Sequence, residues 1–252
     1  MHERALLASK LTGQRLIIPS MRPIFSHWPS GQNVDYEVIR TAVNNRIASF
    51  PNGEYRKAIY DANPALLAAR WWPTAPSKPY QTMTDLIIWF GLWDDVIEQQ
   101  NMIHDDPIIT ATAENLRSST KDFIRRSLMN FLEDGTQREE AEVEEEVVVD
   151  PVTLGFLPIA VEARGFYSRE KLTILLDNFT RYIDSTRLEA EMELRNDVPS
   201  LKEYWEMRIL TSGMGTLLGL SEYALQVQLP LEFIKSEEYS TLWVTTIIIN
   251  SM

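Results

Sequence analysis

Three carboxylates follow directly after the most apolar stretch of the sequence. Residues 86–93 are all apolar or glycine, and they lead into Asp94, Asp95 and Glu98. On a helix, residues four apart share a face, so Asp94 and Glu98 would be neighbours, with Asp95 beside them. Carboxylates at the end of a buried helix repel one another, and leaving such charges unpaired is costly. A bound divalent cation would remove that cost.

Magnesium is the cation that this group of side chains predicts. Mg²⁺ prefers oxygen ligands, usually one or two carboxylates, and fills its other positions with water and substrate phosphate. The sequence has 3 histidines and no cysteine, which disfavours a zinc site. Phe90 comes one turn before Asp94 on the same face, so its ring would lie beneath the carboxylates. We therefore expect a metal-binding rim over an aromatic pocket.

A solvated helix face is the alternative interpretation of the acidic group, since acidic clusters are common on protein surfaces. The apolar run before the acids argues against this, because it buries the helix up to Asp94. Trp89 and Trp93 lie in the same run. We expect both tryptophans to fill the core, and the sequence only weakly favours a place for them in a cavity wall.

The elements that position this group are predicted to be helices. Apolar residues recur at spacings of three and four along the chain, and no long stretch alternates like a strand. Ser168 is a predicted N-cap, and Ser200 with Glu203 has the sequence of a capping box. We predict an all-α bundle of eight or more helices. Residues 1–34 would form an irregular, proline-rich arm, and residues 35–252 one helical domain.

Further element boundaries are predicted from proline, glycine and charge. A helix that starts at Pro107 should run to about Glu133, and a last helix should begin near Pro230. The acidic run at residues 138–150 is either a solvated segment, which we favour, or an interaction tail.

Two segments resemble class I terpene cyclases, most closely those of the fungal and bacterial sesquiterpene type. The pattern Trp-x-x-Trp-Asp-Asp-x-x-Glu at residues 89–98 is similar to the first metal motif of that family. Residues 198–213 resemble its pyrophosphate-sensing stretch, in which an arginine is followed by a broken helix. The similarity covers residues 35–252, and it implies a helical bundle around a central cavity.

The resemblance assigns roles to the acidic group and to one arginine. By position in the first motif, Asp94 would bind Mg²⁺, with Asp95 and Glu98 in support. Arg208 would contact the diphosphate of the substrate. Asp94 and Arg208 would therefore be the catalytic residues. The alternative for Arg208 is a surface ion pair with a neighbouring glutamate.

The resemblance also implies how the substrate is bound. Thr211 and Ser212 would form the helix break that senses the substrate, and the Phe90 ring would stabilise migrating positive charge. The implied reaction is the Mg²⁺-dependent ionisation and cyclisation of a linear prenyl diphosphate, with farnesyl diphosphate favoured, to a sesquiterpene and diphosphate.

The sequence departs from the family at its C-terminal end. The family has a second metal motif, Asn-Asp-x-x-Ser-x-x-x-Glu, on a later helix. Asn250 and Ser251 could open that motif, but no Asp follows Asn250, and the sequence ends at Met252. We expect a C-terminally truncated bundle without its last helices. Activity should then be weak or absent, because part of the stabilisation of the departing diphosphate would be lost.

The composition limits the partners and the compartment. The net charge is −12 and the pI about 4.8, which disfavours nucleic acids and anionic membranes as partners. The N-terminus lacks the continuous apolar core of a secretory signal, and residues 86–93 are too short to span a bilayer. We expect a cytoplasmic protein, either a monomer or a homodimer.

Two rival functions remain open. A prenyl-chain elongating synthase would carry paired Asp-Asp-x-x-Asp motifs, whereas this sequence has Glu98 at the fifth position and no second motif. A non-catalytic protein that binds a prenyl diphosphate or a helical partner is the alternative from a different class.

Overall fold

The computed structural model describes residues 3–15, 17, 19–20, 22–48, 53–101, 107–130, 150–195 and 197–251. Within these ranges the regular structure is helical, without a strand, which confirms the all-α prediction. The helices are α1 (Glu3–Leu11), α2 (Arg22–Phe25), α3 (Tyr36–Ala48), α4 (Gly53–Ala62), α5 (Pro64–Trp71), α6 (Ser77–Asn101), α7 (Pro107–Leu128), α8 (Pro151–Leu154), α9 (Leu157–Phe166), α10 (Arg169–Leu194), α11 (Leu201–Thr211), α12 (Met214–Gly219), α13 (Ser221–Leu225), α14 (Leu231–Ile234) and α15 (Glu237–Ser251).

The two helices that flank the candidate site begin at the predicted caps. The Ser168 hydroxyl accepts a hydrogen bond from the Lys171 amide at the start of α10. At the start of α11, Ser200 and Glu203 form a complete capping box, each side chain accepting from the other residue's backbone amide. These bonds satisfy amides that have no partner within the helix, so the sequence fixes both starting points.

Helix α6 is the centre of the core. It packs against α5, α7, α9 and α10. Its side chains Tyr80, Met83, Leu86 and Trp93 are all fully buried. Burial on several sides explains why residues 86–93 of α6 are apolar on every face rather than along one stripe. The carboxylates of interest stand near the C-terminal end of this helix.

The N-terminal arm is more regular than predicted. It contains α1 and α2, and neither helix has a buried residue. Arg4 attaches α1 to the α10–α11 connection, because its guanidinium donates to the carbonyl oxygens of Asp197 at 2.9 Å and Met192 at 2.5 Å. An arginine at the end of α10 also suits the negative end of that helix dipole.

Two predicted boundaries were wrong. Helix α7 ends at Leu128, its last fully buried residue, and not near Glu133. The last helix begins at Glu237, because Pro230 starts only the single turn α14 and the Ser236 hydroxyl then accepts from the Tyr239 amide. The acidic run lies outside the described residues except for Asp150.

Helix α15 is apolar on more than one side. Ile247 is buried, and its side chain lies beside Gly215 of α12. Leu242 and Val244, on other sides of the helix, are exposed. No helix in the described part of the chain is long and apolar enough to cross a membrane.

Candidate active site

Asp94 lies at the point where the buried part of α6 meets the surface. Trp93, immediately before it, is fully buried, whereas Asp94 and Asp95 are half-buried and Glu98 is exposed. The three carboxylates therefore have different surroundings, although they are on one helix. The Asp94 carboxylate is directed toward the neighbouring helix α10.

Tyr182 of α10 holds the Asp94 carboxylate. Its hydroxyl donates a hydrogen bond of 2.9 Å to Asp94 Oδ1, and the side chain of Tyr182 is almost completely buried. Sequence reasoning did not select this residue. The available signal was its place on the inward face of α10, one turn after Phe179, where a buried tyrosine hydroxyl needs a partner.

An aromatic cluster that includes Phe90 packs around Tyr182, the residue bonded to Asp94. The Phe90 ring meets Tyr182 edge-on, with centroids 4.9 Å apart, and is parallel to Phe179 at 6.0 Å. Phe90 is partly exposed, whereas Trp89 and Trp93 are 3% and 0% exposed. The two tryptophans are therefore core residues and do not line an open cavity.

The predicted helix break is present between α11 and α12. Thr211 is the last residue of α11, Ser212 caps it, and Gly213 has φ +67° before α12 begins. A β-carbon on Gly213 would lie 3.5 Å from Phe90 Cε1 and 3.6 Å from Tyr182 Cε2. The break thus contacts the same aromatic cluster that supports Asp94, and the fold brings the two motif segments together.

Replacing Gly213 with alanine should destabilise the protein, because L-residues rarely adopt φ near +67°. We expect Gly213→Ala to lower the free energy of unfolding by about 1 kcal/mol. Gly215→Ala is the matched control. Gly215 lies inside α12 and a β-carbon there would be 3.8 Å from Trp243, so alanine should be neutral or stabilising. Urea unfolding of both variants would test this, and equal effects would contradict it.

The electrostatics single out Asp94. Burial raises the pKa of Asp94, and the neighbouring Asp95 raises it further, while the Tyr182 hydrogen bond and the positive charge of Arg208 lower it. Burial also raises the pKa of Asp95. Burial, followed by the Asp94 charge, raises the pKa of Tyr182, so this residue remains a hydrogen-bond donor at neutral pH.

The positive charge of Arg208 lowers the pKa of Asp94. The neighbouring glutamates that could have formed a surface ion pair with Arg208 are paired with other cations. Lys202 approaches Glu206 at 3.7 Å, and Arg195 lies 3.2 Å from Glu203. The half-buried guanidinium of Arg208 is close enough to Asp94 to lower its pKa. Arg208 therefore contributes positive charge on the side of the site where the helix breaks.

Thr211 and Ser212 have different environments. Thr211 is buried, and its hydroxyl has no hydrogen-bond partner among the described residues. The Ser212 hydroxyl accepts weakly from the Met214 amide at 3.4 Å and is half-buried. An unpaired buried hydroxyl costs free energy unless water or a ligand satisfies it.

The predicted cluster of three carboxylates is not assembled. Among the described residues, no group of three or more His, Asp or Glu side chains could hold a metal ion. Asp94 accepts a hydrogen bond from Tyr182, and the exposed Glu98 is near enough to the same tyrosine to raise its pKa. Asp94 and Asp95 still fit Mg²⁺, which needs only one or two protein carboxylates when phosphate and water complete its shell.

Residues 85–252 match the family described as terpene synthase family 2, C-terminal metal binding. The chain belongs to this family. The matched region contains both the acidic group on α6 and the α11–α12 break. Metal binding is thus a property of the part of the family that this chain represents, although the match does not identify the metal.

Individual terpene synthases are similar over most of the chain. Sesquiterpene cyclase hepA of Aspergillus oryzae is 26% identical over 241 residues, covering 95% of this chain and 64% of that protein. Terpene cyclase braA of Annulohypoxylon truncatum is 22% identical, covering 94% and 60%. (+)-Eremophilene synthase of Sorangium cellulosum is 23% identical, covering 75% and 52%. The chain thus spans between half and two thirds of the length of these relatives.

Solved structures of terpene synthases share the fold. Linalool/nerolidol synthase from Streptomyces clavuligerus superposes with a TM-score of 0.68 at 16% identity, covering 87% of this chain and 67% of that one. Hedycaryol synthase in complex with HEPES gives 0.62 at 17% identity, covering 89% and 66%. The described helices therefore adopt the class I terpene synthase arrangement.

Proposed function

We propose that this chain supplies the first metal site and the diphosphate-sensing helix break of a sesquiterpene cyclase. The substrate would be a linear prenyl diphosphate, with farnesyl diphosphate favoured, and the metal would be Mg²⁺. The single observation that carries the proposal is the contact between the two motif segments. Gly213 of the break packs on Phe90 and on Tyr182, the residue that holds Asp94.

Different side chains would bind the metal and the diphosphate during ionisation of the substrate. Asp94 and Asp95 would hold Mg²⁺, which supplies positive charge that stabilises the diphosphate as it leaves. Arg208 would donate hydrogen bonds to the diphosphate oxygens. Thr211, one turn later, has a buried hydroxyl without a partner among the described residues, which could bind a diphosphate oxygen. Arginine suits this role because its planar donors match phosphate geometry and it remains charged.

The aromatic residues fit the second half of the reaction. When the allylic carbon–oxygen bond breaks, the electron pair leaves with the diphosphate and positive charge remains on the carbon chain. The partly exposed ring of Phe90 presents its π electrons to such a charge, and Phe179 and Tyr182 fix the orientation of that ring. The product skeleton would depend on the shape of the apolar wall around the cation.

The test begins with purified 252-residue chain. Calorimetric titration with inorganic pyrophosphate, with and without Mg²⁺, measures metal-dependent binding of the headgroup. Incubation with farnesyl diphosphate and Mg²⁺, followed by gas chromatography of the volatile extract, measures turnover. A version continued through any downstream reading frame is assayed beside it.

Each result has a defined meaning. A cyclic terpene from either version supports the cyclase. Mg²⁺-dependent pyrophosphate binding without product from either would favour a non-catalytic prenyl diphosphate binder. In a parallel incubation to which isopentenyl diphosphate is added, linear elongation products would favour a chain-elongating synthase. Absence of Mg²⁺-dependent binding and of product in both versions would overturn the proposal. A cytoplasmic location, and a monomeric or homodimeric state, remain predictions to be tested by fractionation and light scattering.

A further inference from the structure

We infer that Tyr182 is a positioning residue for Asp94 and links this carboxylate to the helix break at Gly213. The inference rests on the proposed function, and it gives a role to a residue outside both motif segments. Tyr182 is in α10, Asp94 in α6 and Gly213 between α11 and α12. One side chain therefore joins three parts of the fold.

The hydrogen bond restricts the Asp94 carboxylate. A carboxylate on a short side chain can rotate about two bonds, and each orientation presents its oxygens differently. The Tyr182 hydroxyl fixes Oδ1 at 2.9 Å, and Oδ2 has no hydrogen bond among the described residues. One oxygen is thus held by the protein and the other is available to a cation. Partners of this kind orient metal ligands, and their loss typically weakens metal binding about 10–100-fold.

The tyrosine ring is itself held on several sides. Its centroid is 4.9 Å from that of Phe90 and 5.8 Å from that of Trp93. Gly213 lies against another side of the ring, since a β-carbon there would be 3.6 Å from Tyr182 Cε2. A shift of the break on substrate binding must therefore move against the ring, and the ring carries the hydroxyl that fixes Asp94.

Tyr223 provides a matched control in another part of the core. Its side chain is 4% exposed, compared with 5% for Tyr182. Its hydroxyl donates to the Glu162 carboxylate at 2.9 Å, the same distance as in the Tyr182–Asp94 pair. Tyr223 also lies 3.2 Å from the Thr82 hydroxyl. Removing either hydroxyl deletes a buried tyrosine–carboxylate hydrogen bond, but only one of the two carboxylates belongs to the proposed metal site.

The experiment compares Tyr182→Phe with Tyr223→Phe in the full 252-residue chain. Both variants should show similar falls in melting temperature. Calorimetric titration of Mg²⁺ in the presence of inorganic pyrophosphate should show about 10–100-fold weaker binding for Tyr182→Phe. Tyr223→Phe should stay within about twofold of the unchanged chain, because its hydroxyl contacts neither Asp94 nor the break.

A spectroscopic measurement separates positioning from general stability. In protein labelled with 3-fluorotyrosine, the ¹⁹F resonance of Tyr182 is assigned by its absence from Tyr182→Phe, and that of Tyr223 likewise. Adding Mg²⁺ with pyrophosphate should shift the Tyr182 resonance and leave the Tyr223 resonance in place.

Three outcomes would overturn the inference. Unchanged Mg²⁺ affinity in Tyr182→Phe would show that the hydrogen bond does not position the ligand. Equal losses of affinity in both variants would indicate a stability effect. Absence of any Mg²⁺-dependent binding by the unchanged chain would overturn the proposed function, and this role with it.

Discussion

Asp94→Asn should abolish Mg²⁺-dependent diphosphate binding while leaving the fold intact. We expect affinity to fall by more than about 100-fold, because even the loss of a residue that only orients a metal ligand costs 10–100-fold. Titration calorimetry with pyrophosphate and Mg²⁺ measures this, and any cyclase activity should fall with it. The amide cannot replace the carboxylate, because it supplies no negative charge.

The same substitution should leave the stability of the folded protein unchanged or raise it. The raised pKa of Asp94 means that burial disfavours its charged form in the folded protein. Asparagine carries no charge, so Asp94→Asn should unfold at the same or a higher denaturant concentration than the unchanged chain.

Asp85→Asn, on the same helix, is the control for the Asp94 substitution. Asp85 forms an ion pair with Arg46, so its loss should affect stability slightly and Mg²⁺ binding not at all. Normal Mg²⁺ affinity in Asp94→Asn would contradict the proposed site. Equal losses of affinity in both variants would show that the effect is not specific to Asp94.

Phe179→Ala should have the largest effect on stability. Phe179 is completely buried and contacts the rings of Phe156, Phe90 and Trp89, with centroids 4.9, 6.0 and 6.0 Å away. Removing the ring would leave a cavity in the aromatic cluster, and such substitutions cost about 3–5 kcal/mol. For a domain of this size the melting temperature should fall by roughly 10 °C. Urea unfolding and a thermal scan measure the two quantities.

Phe233→Ala is the comparison for the Phe179 substitution. Phe233 is 42% exposed, so its truncation should change stability by only a few tenths of a kcal/mol. Phe179→Leu should fall between the two, because leucine fills part of the cavity. A loss below about 1 kcal/mol in Phe179→Ala would show that the cluster does not hold α6 against α10.

The sequence was sufficient for the local features of the site. The apolar run before Asp94 predicted a buried helix that ends in carboxylates, and the capping box at Ser200 predicted where α11 begins. The resemblance of residues 198–213 to the family predicted the break at Thr211 and Ser212, where Gly213 precedes α12 with a positive φ. These features depend on residues a few positions apart, since caps, breaks and apolar periodicity arise from backbone geometry within one or two turns.

Only the tertiary structure decided what each face contacts. The Tyr182–Asp94 hydrogen bond joins residues 88 positions apart, and the contact of Gly213 with Phe90 joins still more distant ones. Helical periodicity placed Asp94 and Glu98 on one face, but Asp94 is half-buried and bonded to Tyr182, whereas Glu98 is exposed. Periodicity specifies the direction of a side chain about its own helix. The partner it meets depends on how helices pack, and that is determined by side-chain contacts across the whole core.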